Sequence, residues 1–202
     1  MRFTKLLLLF VAFLTLAASS ALASSMYWVS VDTSSLNSQP GYLYFQYAPV
    51  NAADSTATVT DFSAGGGALG AQSFNVVDGS AVSGTLPGTV TFLNTNGIND
   101  YNQAFTFGNN IGFLLSFNNP TPGGQAGGSS TFSLGLYQDE LGSTPLLGGT
   151  LFTSDLINDG TVQNQIFSSG VTANQVPEAG TMWLLGSGLV GLLGIARNKF
   201  KK

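Results

Sequence analysis

Thr131-Phe132-Ser133-Leu134-Gly135-Leu136-Tyr137 puts Phe132, Leu134 and Leu136 on one side of an extended chain and Thr131, Ser133 and Gly135 on the other. A period of two marks a strand with one face on a core and the other toward solvent. Ile111–Phe117 repeats the pattern, with Phe113, Leu115 and Phe117 sharing a face. Thr89 and Thr91 oppose Val90 and Phe92. Working outward, short runs rich in Phe, Tyr, Val and Thr lie at Tyr27–Val31, Tyr42–Tyr47, Thr56–Phe62, Ser73–Val77, Ala104–Phe107, Thr150–Phe152 and Thr161–Phe167. These residue types suit a pleated, half-buried surface. Turn-forming pairs such as Pro40-Gly41, Asp78-Gly79, Pro87-Gly88, Asn96-Gly97 and Asp159-Gly160 separate the runs. No amphipathic helix longer than two turns interrupts them. The expected fold is all-β, an antiparallel β-sandwich of jelly-roll type over residues 24–167, with a closed barrel as the alternative. The glycine-rich stretches 64–67 and 122–128 lack the Lys of a phosphate-binding loop and read as flexible loops. Residues 168–175 read as a polar linker.

The 202 residues carry a formal net charge of −4 and contain neither Cys nor His. That excludes a disulfide framework, a thiolate nucleophile or zinc ligand, an imidazole base and a Ser-His-Asp triad. All six basic residues sit at the ends: Arg2, Lys5, Arg197, Lys199, Lys201 and Lys202. Residues 24–175 hold nine acids (Asp32, Asp54, Asp61, Asp78, Asp100, Asp139, Glu140, Asp155 and Asp159) and no base. Such a body forms no side-chain salt bridge and repels a phosphate backbone, so nucleic acid is not an expected partner.

The basic ends flank two apolar segments. Met1-Arg2-Phe3-Thr4-Lys5, the apolar run Leu6–Ala18 and the small-residue pattern Ala21-Leu22-Ala23 compose a secretory signal peptide over 1–23. Ala21 and Ala23 form the signal peptidase site, with cleavage after Ala23. At the other end Val176-Pro177-Glu178 precedes an apolar stretch, Thr181 to Ala196. As a helix, its 16 residues would extend about 24 Å against a hydrocarbon core of about 30 Å, a marginal transmembrane span. The tail Arg197, Lys199, Lys201 and Lys202 favours a cytoplasmic end. Both basic ends then lie inside and the acidic body lies outside.

The combination of Val176-Pro177-Glu178, a Gly- and Leu-rich apolar helix and a basic tail, residues 176–202, resembles the PEP-CTERM sorting signal. The resemblance implies that a membrane-embedded exosortase of a Gram-negative, exopolysaccharide-producing bacterium recognises and cuts this tail. Val176, Pro177 and Glu178 match its core, and Ala179 stands where the usual signal has a second proline. The same module occurs on some bacterial ice-binding proteins. More weakly, segments 41–46, 83–88, 132–137 and 144–147 are similar to a recurrent ectodomain of PEP-CTERM proteins that has no assigned activity.

Little in the body points to a reaction. A glycosidase needs two convergent carboxylates, whereas Asp139 and Glu140 are adjacent and diverge on a strand, and Asp155 and Asp159 flank a turn. No enzymatic activity, catalytic residue, metal or cofactor is expected. Calcium is the metal that the available oxygens would suit, through Asp155, Asn158 and Asp159 or through Asn94, Asn96, Asn99 and Asp100, but Asx turns explain both sets. Thr56, Thr58 and Thr60 share a strand face, as do Thr89 and Thr91, without the fixed repeat of an ice-binding array. Trp28, the one tryptophan of the body, is expected in the core. The function read from this sequence is that of an exported protein, transiently anchored in the inner membrane, then sorted to the cell surface, biofilm or exopolysaccharide matrix in a structural or adhesive role. A carbohydrate- or ice-binding module is the alternative. The expected partners are signal peptidase, exosortase, the membrane through helix 181–196, and exopolysaccharide.

Overall fold

The computed structural model of the chain describes residues 25–73, 81–95, 97–118 and 125–177. Apart from one 3-10 turn, Ser34–Leu36, the regular structure in them is β. In chain order the strands are β1 (Ser25–Asp32), β2 (Pro40–Val50), β3 (Thr56–Ser63), β4 (Ala68–Ser73), β5 (Val82–Gly84), β6 (Val90–Leu93), β7 (Asn99–Thr106), β8 (Asn110–Asn118), β9 (Ser129–Tyr137), β10 (Pro145–Ile157), β11 (Val162–Ile166) and β12 (Val171–Gln175). They form two six-stranded sheets, ordered β12-β1-β8-β3-β6-β5 and β11-β10-β9-β2-β7-β4. Every pairing described is antiparallel.

Alternation decides which face each strand buries. Tyr27, Val29 and Val31 of β1, Leu43, Phe45 and Tyr47 of β2, Ile111, Phe113, Leu115 and Phe117 of β8, and Phe132, Leu134 and Leu136 of β9 all point between the sheets and are buried. Val90 and Phe92 do the same on β6, with Thr91 turned outward. The sheets meet through aromatic rings. Phe45 and Phe113 cross edge-to-face at 5.4 Å, and Phe92 and Phe132 at 5.7 Å. Such edge-to-face pairs add to the burial of their apolar area.

Three segments differ from the sequence expectation. The turn at 64–67 is not a loose loop: Gly67 N–H donates to the Ala64 carbonyl at 2.8 Å, and Gly65 accepts from Asn109 N–H at 2.9 Å. Gly65 has φ +53°, and a Cβ there would collide with Asn110. The turn follows a bulge in β3, where Asp61 takes φ +52° and the register against β8 shifts between Thr60 and Ser63. This irregularity carries the chain from one sheet to the other and begins β4 at Ala68, ahead of the strand expected at Ser73–Val77, most of which lies outside the described residues. The stretch 168–175, expected as a linker, contains strand β12. The body of β strands therefore runs past 167, to Gln175.

No helix among the described residues is long and apolar enough to cross a membrane. The signal peptide over 1–23 and the helix over 181–196 both fall outside those residues.

Phe132 touches Phe45, Phe92 and Phe113 and is fully buried. Phe132→Ala is expected to destabilise the fold by about 3–5 kcal/mol. Leu141→Ala, at a 70% exposed position, is expected to change stability by less than about 0.5 kcal/mol. Urea denaturation of the two variants measures the contrast.

Candidate functional site

The sorting-motif residues within the described structure join the body directly. Strand β12 pairs with β1 from Val31↔Val171 to Tyr27↔Gln175. The ladder is closed at one end by Asp32 N–H donating to the Gly170 carbonyl and at the other by Val176 N–H donating to the Met26 carbonyl, each at 2.8 Å. Val176, the first motif residue, is thus fixed to the domain and half-buried. Pro177 is exposed and has no N–H with which to extend the ladder. The chain enters the described body at Ser25 and leaves it at Pro177, so both ends lie at the same end of one strand pair. Glu178, the signal peptidase residues Ala21 and Ala23, and the tail residues Arg197, Lys199, Lys201 and Lys202 lie outside the described residues.

Strand β12 escaped sequence reasoning because it is short and polar: only Val171 is buried and Ala173 half-buried, while Thr172, Asn174 and Gln175 are exposed. Its alternating Val171 and Ala173 were the available signal.

The carboxylates serve turns. Asp139 accepts the backbone N–H groups of Leu141 at 3.1 Å, Ser143 at 3.0 Å and Thr144 at 2.7 Å. These donors, Ser143 first, hold its pKa below the ordinary aspartate value. Asp159 accepts from Thr161 N–H at 2.8 Å and is lowered by that bond. Asp32 accepts from Ser34 N–H at 2.9 Å and is lowered by its hydrogen bonds with Ser34. Asp155 takes the Thr131 hydroxyl at 2.5 Å, and Asp100 takes Tyr44 Oη at 3.1 Å and Gln46 Nε2 at 2.9 Å.

Of the two candidate calcium sets, Asn158 and Asn94 make hydrogen bonds of their own, and Asn96 lies outside the described residues. Asn158 Oδ1 accepts Ala53 N–H at 2.8 Å, and its Nδ2 donates to the carbonyls of Asn51 and Gln125. Asn94 Oδ1 accepts Ser55 N–H at 2.8 Å, and its Nδ2 donates to the Ala53 carbonyl and to Ser130 Oγ. Among the described residues no three His, Cys, Asp or Glu side chains gather to hold a metal ion.

The outward threonines do not assemble into a regular array. Thr58 stands across from Thr91, but Thr56 faces Leu93 and Thr60 faces Leu114. Trp28 corrects the expectation of a core tryptophan: it is 38% exposed on the outer face of its sheet, because Tyr27, Val29 and Val31 already occupy the inner face of β1.

Residues 175–198 match the family model of the PEP-CTERM protein-sorting motif. The match starts at Gln175, the last residue of β12, and runs through the apolar stretch into the basic tail. No curated protein and no solved structure matches the chain. The motif supports an exported protein processed by an exosortase through a membrane-anchored sorting step.

Two predictions follow from the cation-free body. Asp139→Ala is expected to lower the melting temperature at pH 7. Because the folded pKa is depressed, that deficit is fully present above the ordinary aspartate value of about 3.9 and closes as pH falls through the lower folded value. Melting curves of both proteins across acid pH measure it. Since side-chain charges of the body only repel, raising NaCl from about 10 mM to about 500 mM is expected to raise its melting temperature.

Proposed function

We propose that this chain is an exported, exosortase-sorted protein of the cell surface or exopolysaccharide matrix, with a structural or adhesive role and no catalysis. The observation that carries the reading is the sorting motif at residues 175–198. The charge partition supports it: bases only at Arg2, Lys5 and 197–202, nine acids and no base over 24–175. In this reading signal peptidase cuts after Ala23, and the helix over 181–196 holds the protein briefly in the inner membrane. The exosortase reads Val176, Pro177 and Glu178, with Arg197, Lys199, Lys201 and Lys202 as the stop-transfer tail. The body then associates with exopolysaccharide or other matrix proteins, and not with nucleic acid.

The strand orders β1-β8-β3-β6 and β2-β7-β4 support a jelly-roll wrapping, in which β1 to β4 alternate between the sheets, β7 returns between β2 and β4, and β8 returns between β1 and β3. Strand β12 extends one sheet beyond β1, and β9 to β11 extend the other beyond β2.

The test is the intact mass of the protein recovered from the envelope and from the medium of a producing strain. No Lys or Arg lies between residues 6 and 196, so trypsin would cut only near the two ends and would itself remove the tail beyond Arg197; the mass is therefore read without proteolysis. The expected mass begins at Ser24 and lacks Arg197–Lys202. In a Pro177→Ala, Glu178→Ala double variant the tail is expected to stay on and the protein to remain in the membrane fraction. A released wild-type protein that still carries Arg197–Lys202 would refute the reading.

A further inference from the structure

We propose that Trp28 is the stacking platform of a glycan site on the outer face of the sheet that contains β1, and that the ligand is a neutral polysaccharide. The proposal deepens the surface-or-matrix reading and rests on it for its setting, though not for its chemistry.

The indole is held on the outer face, against the strand beside it. Its neighbours along β1 fill the inner face, so it projects to solvent and stays 38% exposed. Gly112 lies on the adjacent strand β8, and a Cβ there would come within 2.8 Å of Trp28 Cζ2, 3.5 Å of Cη2 and 3.6 Å of Cε2. The benzene half of the ring therefore packs beside the bare backbone of Gly112, where a side chain would displace it. Leaving aromatic surface in water is unfavourable, and a ligand that covers it recovers that burial.

The surroundings define the ligand. Asn174 and Leu114 stand directly across from Trp28 on the two flanking strands, Ser30 follows it on the same face, and Thr172 and Ser116 sit one step along. An apolar plane edged by hydroxyls and a carboxamide matches a pyranose, which has a C–H face and a hydroxyl rim. Charge selects among such ligands. With nine acids and no base over residues 24–175, the body repels uronate- or phosphate-bearing polymers, and equally a second copy of itself. A neutral glycan meets neither penalty.

The test uses the full chain in sugar-free detergent micelles, with Trp183→Phe leaving Trp28 as the sole indole of the two in the sequence. Cellohexaose, laminarihexaose and mannohexaose serve as neutral probes and tetragalacturonate as the anionic one. A saturable change in tryptophan emission with at least one neutral probe, and none with the uronate, is expected. By calorimetry, Trp28→Ala and, separately, Gly112→Ala, which lifts the ring, are expected to weaken binding at least about tenfold. Melting curves verify that both variants fold. Tyr42→Ala, beside a depression of about 360 Å³ on the other sheet, is expected to bind as the parent does. The proposal is overturned if no neutral probe binds, if the uronate binds as well as the neutral probes, if Trp28→Ala binds like the parent, or if Tyr42→Ala alone abolishes binding. None of these outcomes alters the mass test of sorting, so the two readings fail separately.

Discussion

Between residues 6 and 196 the chain has no cationic side chain, and much of the structure answers to that constraint. A carboxylate in such a body has no ion-pair partner within the same region and must be satisfied by N–H and O–H donors. Asp139 collects three backbone amides, and Asp32 and Asp159 each cap a turn two residues ahead. The acids therefore stabilise local geometry, while solubility falls to hydroxyls, carboxamides and like-charge repulsion. The basic residues are confined to the ends, Arg2, Lys5 and the four at 197–202.

A second consequence concerns how the folded body meets the sorting motif. The first and last strands are neighbours, and their ladder reaches Val176 itself. Only residues 177–180 separate that point from the apolar stretch that begins at Thr181. Fully extended, four residues span at most about 14 Å. A membrane-bound processing enzyme that reads Pro177 and Glu178 thus works beside the folded domain or must first peel β12 from β1. Strand β12 buries only one side chain, Val171, and edge elements with so few buried contacts are the ones that open most readily.

Most of the fold was legible because buried strands announce themselves by alternation. Phe113, Leu115 and Phe117, and Phe132, Leu134 and Leu136, lie on the faces that their spacing dictates. The parts that escaped are those whose stability comes from partners rather than from their own residues. Strand β12 is polar and becomes a strand through its backbone ladder with β1, and the turn at 64–67 owes its order to Asn109 and Asn110 on a loop more than forty residues away. Trp28 is a different case. The alternation of Tyr27, Val29 and Val31 already required it to face outward, and a general preference for buried tryptophan outweighed that local evidence. The glycine beside it was not legible, since nothing in the sequence sets Gly112 next to Trp28 until β1 and β8 are paired. Of the sorting motif, the residue pattern was fully legible, whereas its attachment to the body through Val176 required the strand pairing.

The same constraint bears on the carboxamides at the loops. A calcium ion takes six to eight oxygen ligands, carboxylates foremost. Asn158 and Asn94 instead spend their oxygens on backbone N–H groups and their amide nitrogens on carbonyls. Asn158 ties the segment at 51–53 to the one at 125–128, and Asn94 ties 53–55 to Ser130. A carboxamide carries both a donor and an acceptor, so one side chain can bond an N–H and a carbonyl at once, whereas an ionised carboxylate only accepts. In a body without lysine or arginine, asparagine performs the cross-linking that ion pairs or bound metals supply elsewhere, and it does so without adding to the repulsion among the nine acids.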